Sequence, residues 1–199
     1  MCDKSKKAGL QFSVNGTIDY INKFITPSYL EYKISVEVAV IITSTLEYLS
    51  AEILELSGNN VSSSKVIHDN HIEKGICSDE ELNGVFGYYF VNKKNETFLQ
   101  NEITKIGRHL DLTDGIKKVL KQVHPNLDIS DESCSSVCFL LSVMRKNLIE
   151  KSINLCKFIK KDIVENEDIL IIIRMIISNE LGKHALLEAS KAVYKFTKD

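Results

Sequence analysis

Apolar residues recur at three- and four-residue steps along most of this chain, the period of helices that bury one face. After Ser13, the positions Val14, Ile18 and Ile21 predict a helix of about ten residues. A loop containing Thr26-Pro27-Ser28 should follow. The stripe Val38, Ile42, Leu46, Leu49, Ile53 and Leu56 then predicts a long helix from about Ser35 to Asn60. A polar stretch, Ser62 to Ser64, leads to the apolar pair Val66-Ile67. Asp69 or Asn70 is placed to cap a third helix reaching Cys77.

The second half repeats this short, long, short plan. Ile116, Val119, Leu120 and Val123 predict a short helix ended by Pro125 and Asn126. Ser130, Asp131 and Ser133 open a long helix to about Ile159, with the stripe Val137, Leu141, Met144, Leu148, Leu155 and Ile159. The loop Lys160-Lys161-Asp162 precedes a second apolar pair, Ile163-Val164. Asn166 is the candidate cap of a helix containing Ile169 to Ile177. Its β-branched run also suits a buried strand, but the acidic residues before it and Arg174 within it favour helix. A last amphipathic helix carries Leu181, Ala185, Ala189, Val193 and Phe196.

Between the halves, Tyr88 to Asp114 reads as a linker, and Leu99, Ile103, Ile106 and Leu110 predict a helix inside it. The expected organisation is a first domain over 8–87, a linker over 88–114 and a second domain over 115–199. A long helix with one wide apolar stripe cannot bury that stripe alone. Two of them crossing, with short helices around them, bury both, so the expected class is all-α with the repeats packed on each other.

Composition narrows the picture. Two prolines and no tryptophan in 199 residues suit long helices better than a turn-rich β fold. No apolar run approaches the ~18 residues that a membrane helix needs, and Met1 to Lys7 lacks the apolar core of a secretory signal. The five cysteines, Cys2, Cys77, Cys134, Cys138 and Cys156, form no Cys-x-x-Cys pair and read as reduced intracellular thiols. Cys134 and Cys138 stand one helical turn apart, which reads as two small buried residues rather than a metal site. His68, His71, His124 and His184 show no nucleophile–base spacing, so neither an enzyme, a metal site nor a cofactor is expected. Charge is uneven around a net −2: residues 1–98 hold nine lysines against thirteen acids, and 116–199 hold fourteen basic residues against eleven. That balance alone argues against a strong nucleic-acid binder.

Several longer words change that argument. Ala8-Gly9-Leu10-Gln11-Phe12, the run Leu46 to Asn59, and Asp79-Glu80-Glu81-Leu82-Asn83 resemble histone 2A in order. Lys118 to Pro125, Glu180-Leu181, Lys183-His184-Ala185 and Lys191-Ala192-Val193 resemble histone 2B. The chain thus resembles a fused histone doublet, similar to those of large DNA viruses, over about four-fifths of its length. The resemblance implies two histone folds paired intramolecularly as a handshake dimer, with an extra C-terminal helix. It also implies a structural chromatin protein that packages double-stranded DNA with histone three- and four-like proteins, in a nucleus or in a viral factory or virion.

Carried residue by residue, the resemblance implies an acidic patch for basic peptides of chromatin factors at Glu47, Glu52, Glu55, Asp79, Glu80, Glu81, Glu180 and Glu188. Phe158 matches an aromatic position that contacts histone four. The family's arginines are mostly missing: the chain has only Arg108, Arg145 and Arg174, with Val66 and Lys161 at loop positions where an arginine would reach DNA. The remaining phosphate candidates are Lys23, Lys33, Lys65, Lys160 and Lys161, with helix starts near Ser35, Asp131 and Asn166. Lysine keeps the charge but not the planar fork, so DNA binding should be weak outside an assembly. The first loop, Ile25–Lys33, is about four residues longer than the family pattern, and Tyr88–Asp114 does not match it. The alternative expectation is a histone-mimicking decoy that uses its acidic patch, or pairs with host histones, without packaging DNA.

Overall fold

A computed structural model of the protein describes residues 3–29, 31–62, 64–92, 112–177 and 179–198. Among them the chain is mostly helical: α1 (Lys4–Ala8), α2 (Val14–Tyr20), α3 (Val36–Gly58), α4 (Asp69–Ser78), α5 (Glu80–Asn92), α6 (Thr113–Val123), α7 (Asp131–Phe158), α8 (Asn166–Ile176) and α9 (Asn179–Thr197). Four two-residue strands, β1 (Lys33–Ile34), β2 (Val66–Ile67), β3 (Asp128–Ile129) and β4 (Ile163–Val164), form two parallel bridges. β1 lies beside β4 with Lys33 opposite Ile163, and β2 lies beside β3 with Val66 opposite Asp128.

The contacts divide the chain into two units. The first takes Met1–Tyr48 and Arg145–Asp199, the second Leu49–Met144. Both divisions fall inside long helices, so each unit holds part of α3, part of α7 and one bridge.

In the first unit α1 is closed at both ends. The Asp3 carboxylate accepts from the Ser5 amide at 3.1 Å, and Gly9 stops the helix at φ 73°. A Cβ at Gly9 would be strained by that φ and would also meet Lys195 Nζ at 3.0 Å. Ser13 caps α2 through the Gly16 amide at 3.0 Å. The loop expected around Thr26-Pro27-Ser28 is instead wound: a π turn over Ile21–Ile25 passes into a 3₁₀ turn over Thr26–Ser28. Pro27 has no amide to continue an α ladder and sits at the start of the tighter turn. Ser35 caps α3 through the Val38 amide at 3.2 Å. The core joins Phe12, Val14 and Ile25 with Val38, Ile42 and Leu46 of α3, then Leu148, Ile153, Ile169, Ile173 and Ala185. Arg145 is fully buried in this unit, its guanidinium 4.1 Å from the centre of the Tyr20 ring.

In the second unit the core is Leu49, Ile53, Leu54, Ile67, Ile72, Ile76, Phe86, Val119, Leu120, Val137 and Leu141. Gly75 lets α4 approach α3 closely, since a Cβ there would meet the Ser57 amide nitrogen at 2.9 Å. Ser130 opens α7 through the Ser133 amide at 3.2 Å.

Four further sequence expectations are corrected. The cap of α4 is His68 rather than Asp69 or Asn70, and that of α8 is Glu165 rather than Asn166. In each case the cap residue's amide donates to a side chain three residues on, His71 Nδ1 at 3.0 Å and Asp168 Oδ2 at 2.8 Å. The α7 stripe turns after Leu148: Ile149, Ile153 and Cys156 are buried, whereas Leu155 is half-buried and Ile159 exposed. A straight helix drifts off a repeating three–four pattern over this length. Tyr88 to Asn92, read as linker, continues α5; Leu99, Ile103, Ile106 and Leu110 lie outside the described residues. The run Ile169–Ile173 is helix, within α8.

Candidate functional site

The phosphate candidates gather mainly beside the β1–β4 bridge. Lys33 stands on β1, exposed, its amide donating to the Asp162 carbonyl at 3.0 Å. Lys160 is exposed and takes a left-handed φ of 59° as the chain leaves α7. Lys161 turns inward: its Nζ lies 2.6 Å from Glu165 Oε2 and 2.8 Å from Asp168 Oδ2. Asp168 is buried, and its Oδ2 also accepts from the Glu165 amide at 2.8 Å and from Cys156 Sγ at 3.6 Å. Burial pushes the Asp168 pKa up, but the hydrogen bonds from Lys161 and the Glu165 amide outweigh it and hold the carboxyl below its ordinary value. Hydrogen bonds to Asp168 and Glu165 raise Lys161 in turn. The thiol of Cys156 is pushed up to about 11, by burial first and then by the Asp168 charge.

Lys161 is therefore a clamp on the β4 loop as well as a cation. The surroundings are not positive. A hollow of about 370 Å³ is lined by Ser35, Glu37, Glu165, Asn166 and Glu167, which brings the starts of α3 and α8 together with three carboxylates. Residues 31–37 and 157–168 together carry four lysines against six carboxylates. The α8 start, expected to favour phosphate, is thus screened by its own acids. Sequence reading also missed Lys157, whose Nζ lies 4.6 Å from the Tyr29 ring centre and 5.7 Å from that of Tyr32. Those tyrosines lie between the 3₁₀ turn and β1, so only a stretch long enough to fold back offers a signal for the contact.

Lys23 is exposed on the π turn, its Nζ 5.2 Å from the Phe24 ring centre. Lys65 belongs to the second unit. It is exposed, has φ 53°, and its carbonyl accepts from the Asp128 amide at 2.9 Å as β2 begins.

The eight carboxylates divide between the units. In the first, Glu47 Oε2 accepts from the Gln11 and Phe12 amides at 2.7 and 2.8 Å, tying the segment before α2 to α3. Burial raises the pKa of Glu47, the two amides oppose this, and the charge of Glu188 adds to it. Glu188 and Glu180 each meet a lysine three residues on, Lys191 at 2.7 Å and Lys183 at 2.6 Å. The Lys183 hydrogen bond lowers the pKa of Glu180. His184, beside them, packs edge-on to Tyr48 with ring centres 6.4 Å apart.

In the second unit Glu55 is exposed, and its carbonyl lies 3.0 Å from His124 Nε2. Glu52 shares α3 with it, three residues before. Asp79 caps α5 through the Leu82 amide at 2.8 Å, Glu80 is exposed and Glu81 half-buried. Glu47 and Asp79 therefore do local structural work that the sequence alone did not separate from partner binding.

Phe158 is 86% exposed on the last turn of α7, and Met175 on α8 is 74% exposed. Cys134 and Cys138 are buried on α7; a hydrogen bond between them and their burial raise the Cys134 pKa. Among the described residues no group of three or more His, Cys, Asp or Glu is placed to hold a metal, and no helix is long and apolar enough to cross a membrane. No protein-family model matches the sequence.

Proposed function

We propose that this chain is a fused pair of histone-like repeats, histone 2A-like then histone 2B-like, that packages double-stranded DNA in nucleosome-like particles with histone three- and four-like partners. The observation that carries the reading is the reciprocal pairing of the bridges. The strand before the long helix of the first repeat, β1, pairs with the strand after the long helix of the second, β4. The strand after the first long helix, β2, pairs with the strand before the second, β3. Two equivalent repeats clasped head to tail produce this pattern, and it fits the handshake that the sequence words imply.

Each bridge sets a loop bearing lysine beside the start of a long helix, α3 or α7, whose backbone N–H groups and dipole favour phosphate, while the carboxylates around the α3 start oppose it. The exposed Phe158 fits an apolar contact with a histone four-like chain. The carboxylates of each unit, Glu52, Glu55 and Glu80 in the second and Glu180 and Glu188 in the first, would receive basic peptides of chromatin factors. The setting would be a nucleus or a viral factory.

The excess of carboxylates at the β1–β4 bridge supports a second reading, a histone-mimicking decoy that binds partners without wrapping DNA. Reconstitution with histones three and four and DNA, followed by micrococcal nuclease digestion, separates the two. The packaging reading expects a discrete protected fragment. Partner binding without protection supports the decoy, and binding to neither removes both.

A further inference from the structure

The first turns of α7 place two thiols in contact, and the chromatin reading gives them no task. Cys134 and Cys138 stand one turn apart, 2% and 6% exposed, and are hydrogen-bonded to each other. Two residues of α6 accompany them. Thr113 Oγ1 lies 3.5 Å from Cys138 Sγ, and the charge of Lys117, one turn further along α6, acts on Cys134. Lys117 Nζ is 3.6 Å from Asp131 Oδ1, at the first residue of α7. Packing alone would be served by any small apolar residue at both positions.

Geometry separates the uses that such a pair could have. Side chains one turn apart on a helix hold their Cβ atoms about 5–6 Å from each other. A disulfide draws them to about 3.5–4.5 Å, which would bend α7 inside a packed core. Zinc takes four ligands, and among the described residues no group of three or more His, Cys, Asp or Glu is placed to hold a metal. Copper(I) meets both limits. It is selected by thiolates, it accepts two sulfurs in a line, and an ion between the sulfurs spans the separation that the helix imposes. Two thiolates and one copper(I) leave a single negative charge, which the Lys117 ammonium and the N-terminal dipole of α7 offset. The Thr113 hydroxyl can donate to the Cys138 sulfur once its proton has gone. We propose that Cys134 and Cys138 form a two-sulfur site for copper(I), held against Thr113 and Lys117. Each S–H bond breaks as an S–Cu bond forms, two protons pass to solvent, and the copper is neither oxidised nor reduced.

The inference does not rest on the histone reading, since it concerns the chain without DNA or other proteins. Anaerobic titration of the full chain with copper(I), with the chelator bicinchoninate as competitor, tests it. One ion per chain should leave the competitor for the pair, and X-ray absorption should show two sulfur neighbours. The melting temperature should rise by about 5 °C once free copper(I) reaches about 100 times the dissociation constant. Zinc should raise it less.

The chain also holds Cys2, Cys77 and Cys156, so variants assign the ion. Cys134→Ala combined with Cys138→Ala is expected to weaken binding about 100-fold or more. Cys2→Ala, Cys77→Ala and Cys156→Ala combined leave only the pair, and that variant should take up one ion with the same absorption spectrum. This arm does not depend on whether the pair variant folds. A wild-type chain that leaves copper(I) with the competitor overturns the proposal. So does uptake that the pair variant retains, uptake that the pair alone cannot reproduce, or a spectrum with nitrogen or oxygen neighbours. Protection of DNA with histones three and four is a separate readout, and neither result fixes the other.

Discussion

In the first unit Lys33-Ile34 lies beside Ile163-Val164, and the buried carboxylate of Asp168 gathers Lys161, the Glu165 amide and Cys156 behind that bridge. In the second unit Val66-Ile67 lies beside Asp128-Ile129, and His71 accepts the His68 amide as α4 begins. The backbone pattern is the same in both: a two-residue parallel bridge followed by a helix whose third residue reaches back to its cap. The chemistry differs. A buried carboxylate in an ion pair fixes one loop, while the other has a ring nitrogen of His71 as acceptor and an exposed Lys121–Asp128 pair. The loop with the stronger anchor also turns a lysine inward, which removes a cation from the surface where phosphate would bind.

The largest effect should come from removing that anchor. Asp168→Ala leaves Lys161 and the Glu165 amide without their shared acceptor, and a loss of about 1–3 kcal/mol is expected in urea unfolding at neutral pH. The effect depends on pH with a definite sign. The folded pKa of Asp168 lies below that of an unfolded carboxyl, so its contribution is complete above about pH 4 and falls as pH drops through the folded value. The advantage of wild type over Asp168→Ala should therefore shrink in acid. An advantage constant down to pH 2 would mean that packing, not charge, holds the β4 loop.

A pair of glycine substitutions compares the units by crowding. A Cβ at Gly182 would come within 2.0 Å of the Ile177 carbonyl oxygen, a backbone atom at the α8–α9 junction. At Gly58 the nearest obstacle, at 2.2 Å, is the His124 ring. Side chains swing more readily than backbone. Gly182→Ala should cost about 2 kcal/mol, and Gly58→Ala should cost less, mainly the His124–Glu55 hydrogen bond. Thermal unfolding of both variants measures the difference, and equal losses would show that His124 is as fixed as a main chain.

Next comes the imidazole cap. His71→Ala removes the acceptor for the His68 amide and should cost about 1 kcal/mol, whereas His71→Gln, which can still reach back, should retain most of it. Hydrogen exchange at the start of α4 would report the change directly. Equal loss in both variants would assign the effect to ring packing against His68, whose centre lies 5.9 Å away.

The longer helices were legible in the sequence because burial writes a period into it, whereas α1 and α5 were not predicted. α3, α7, α8 and α9 lie where Val38, Leu141, Ile169 and Ala185 belong to apolar stripes. Caps were less legible. Asp69 and Asn166 are good capping types, but the residues that cap are His68 and Glu165, whose amides are met from three positions on. The strands β1 and β3 carry no sequence signal of their own, since a two-residue bridge is defined by its partner rather than by period. The candidate site was the hardest part. Lysines and glutamates were identified by type and position, yet whether Lys161 points outward or Glu47 caps a neighbouring segment depends on distant residues, Asp168 for one and Phe12 for the other.

The smallest effect tests whether the second bridge depends on surface charge at all. Lys121 Nζ lies 2.6 Å from Asp128 Oδ1 and 2.8 Å from the Leu127 carbonyl, beside β3. The two side chains are 52% and 74% exposed, so water and salt compete for both charges. Lys121→Ala should cost less than about 1 kcal/mol, and the cost should fall further in high salt. Thermal unfolding at low and high salt measures it. A loss as large as that of His71→Ala, undiminished by salt, would place the anchor of β3 on the Lys121 stem and the Leu127 carbonyl. The two bridges would then each be pinned by a lysine that phosphate cannot recruit without loosening its loop.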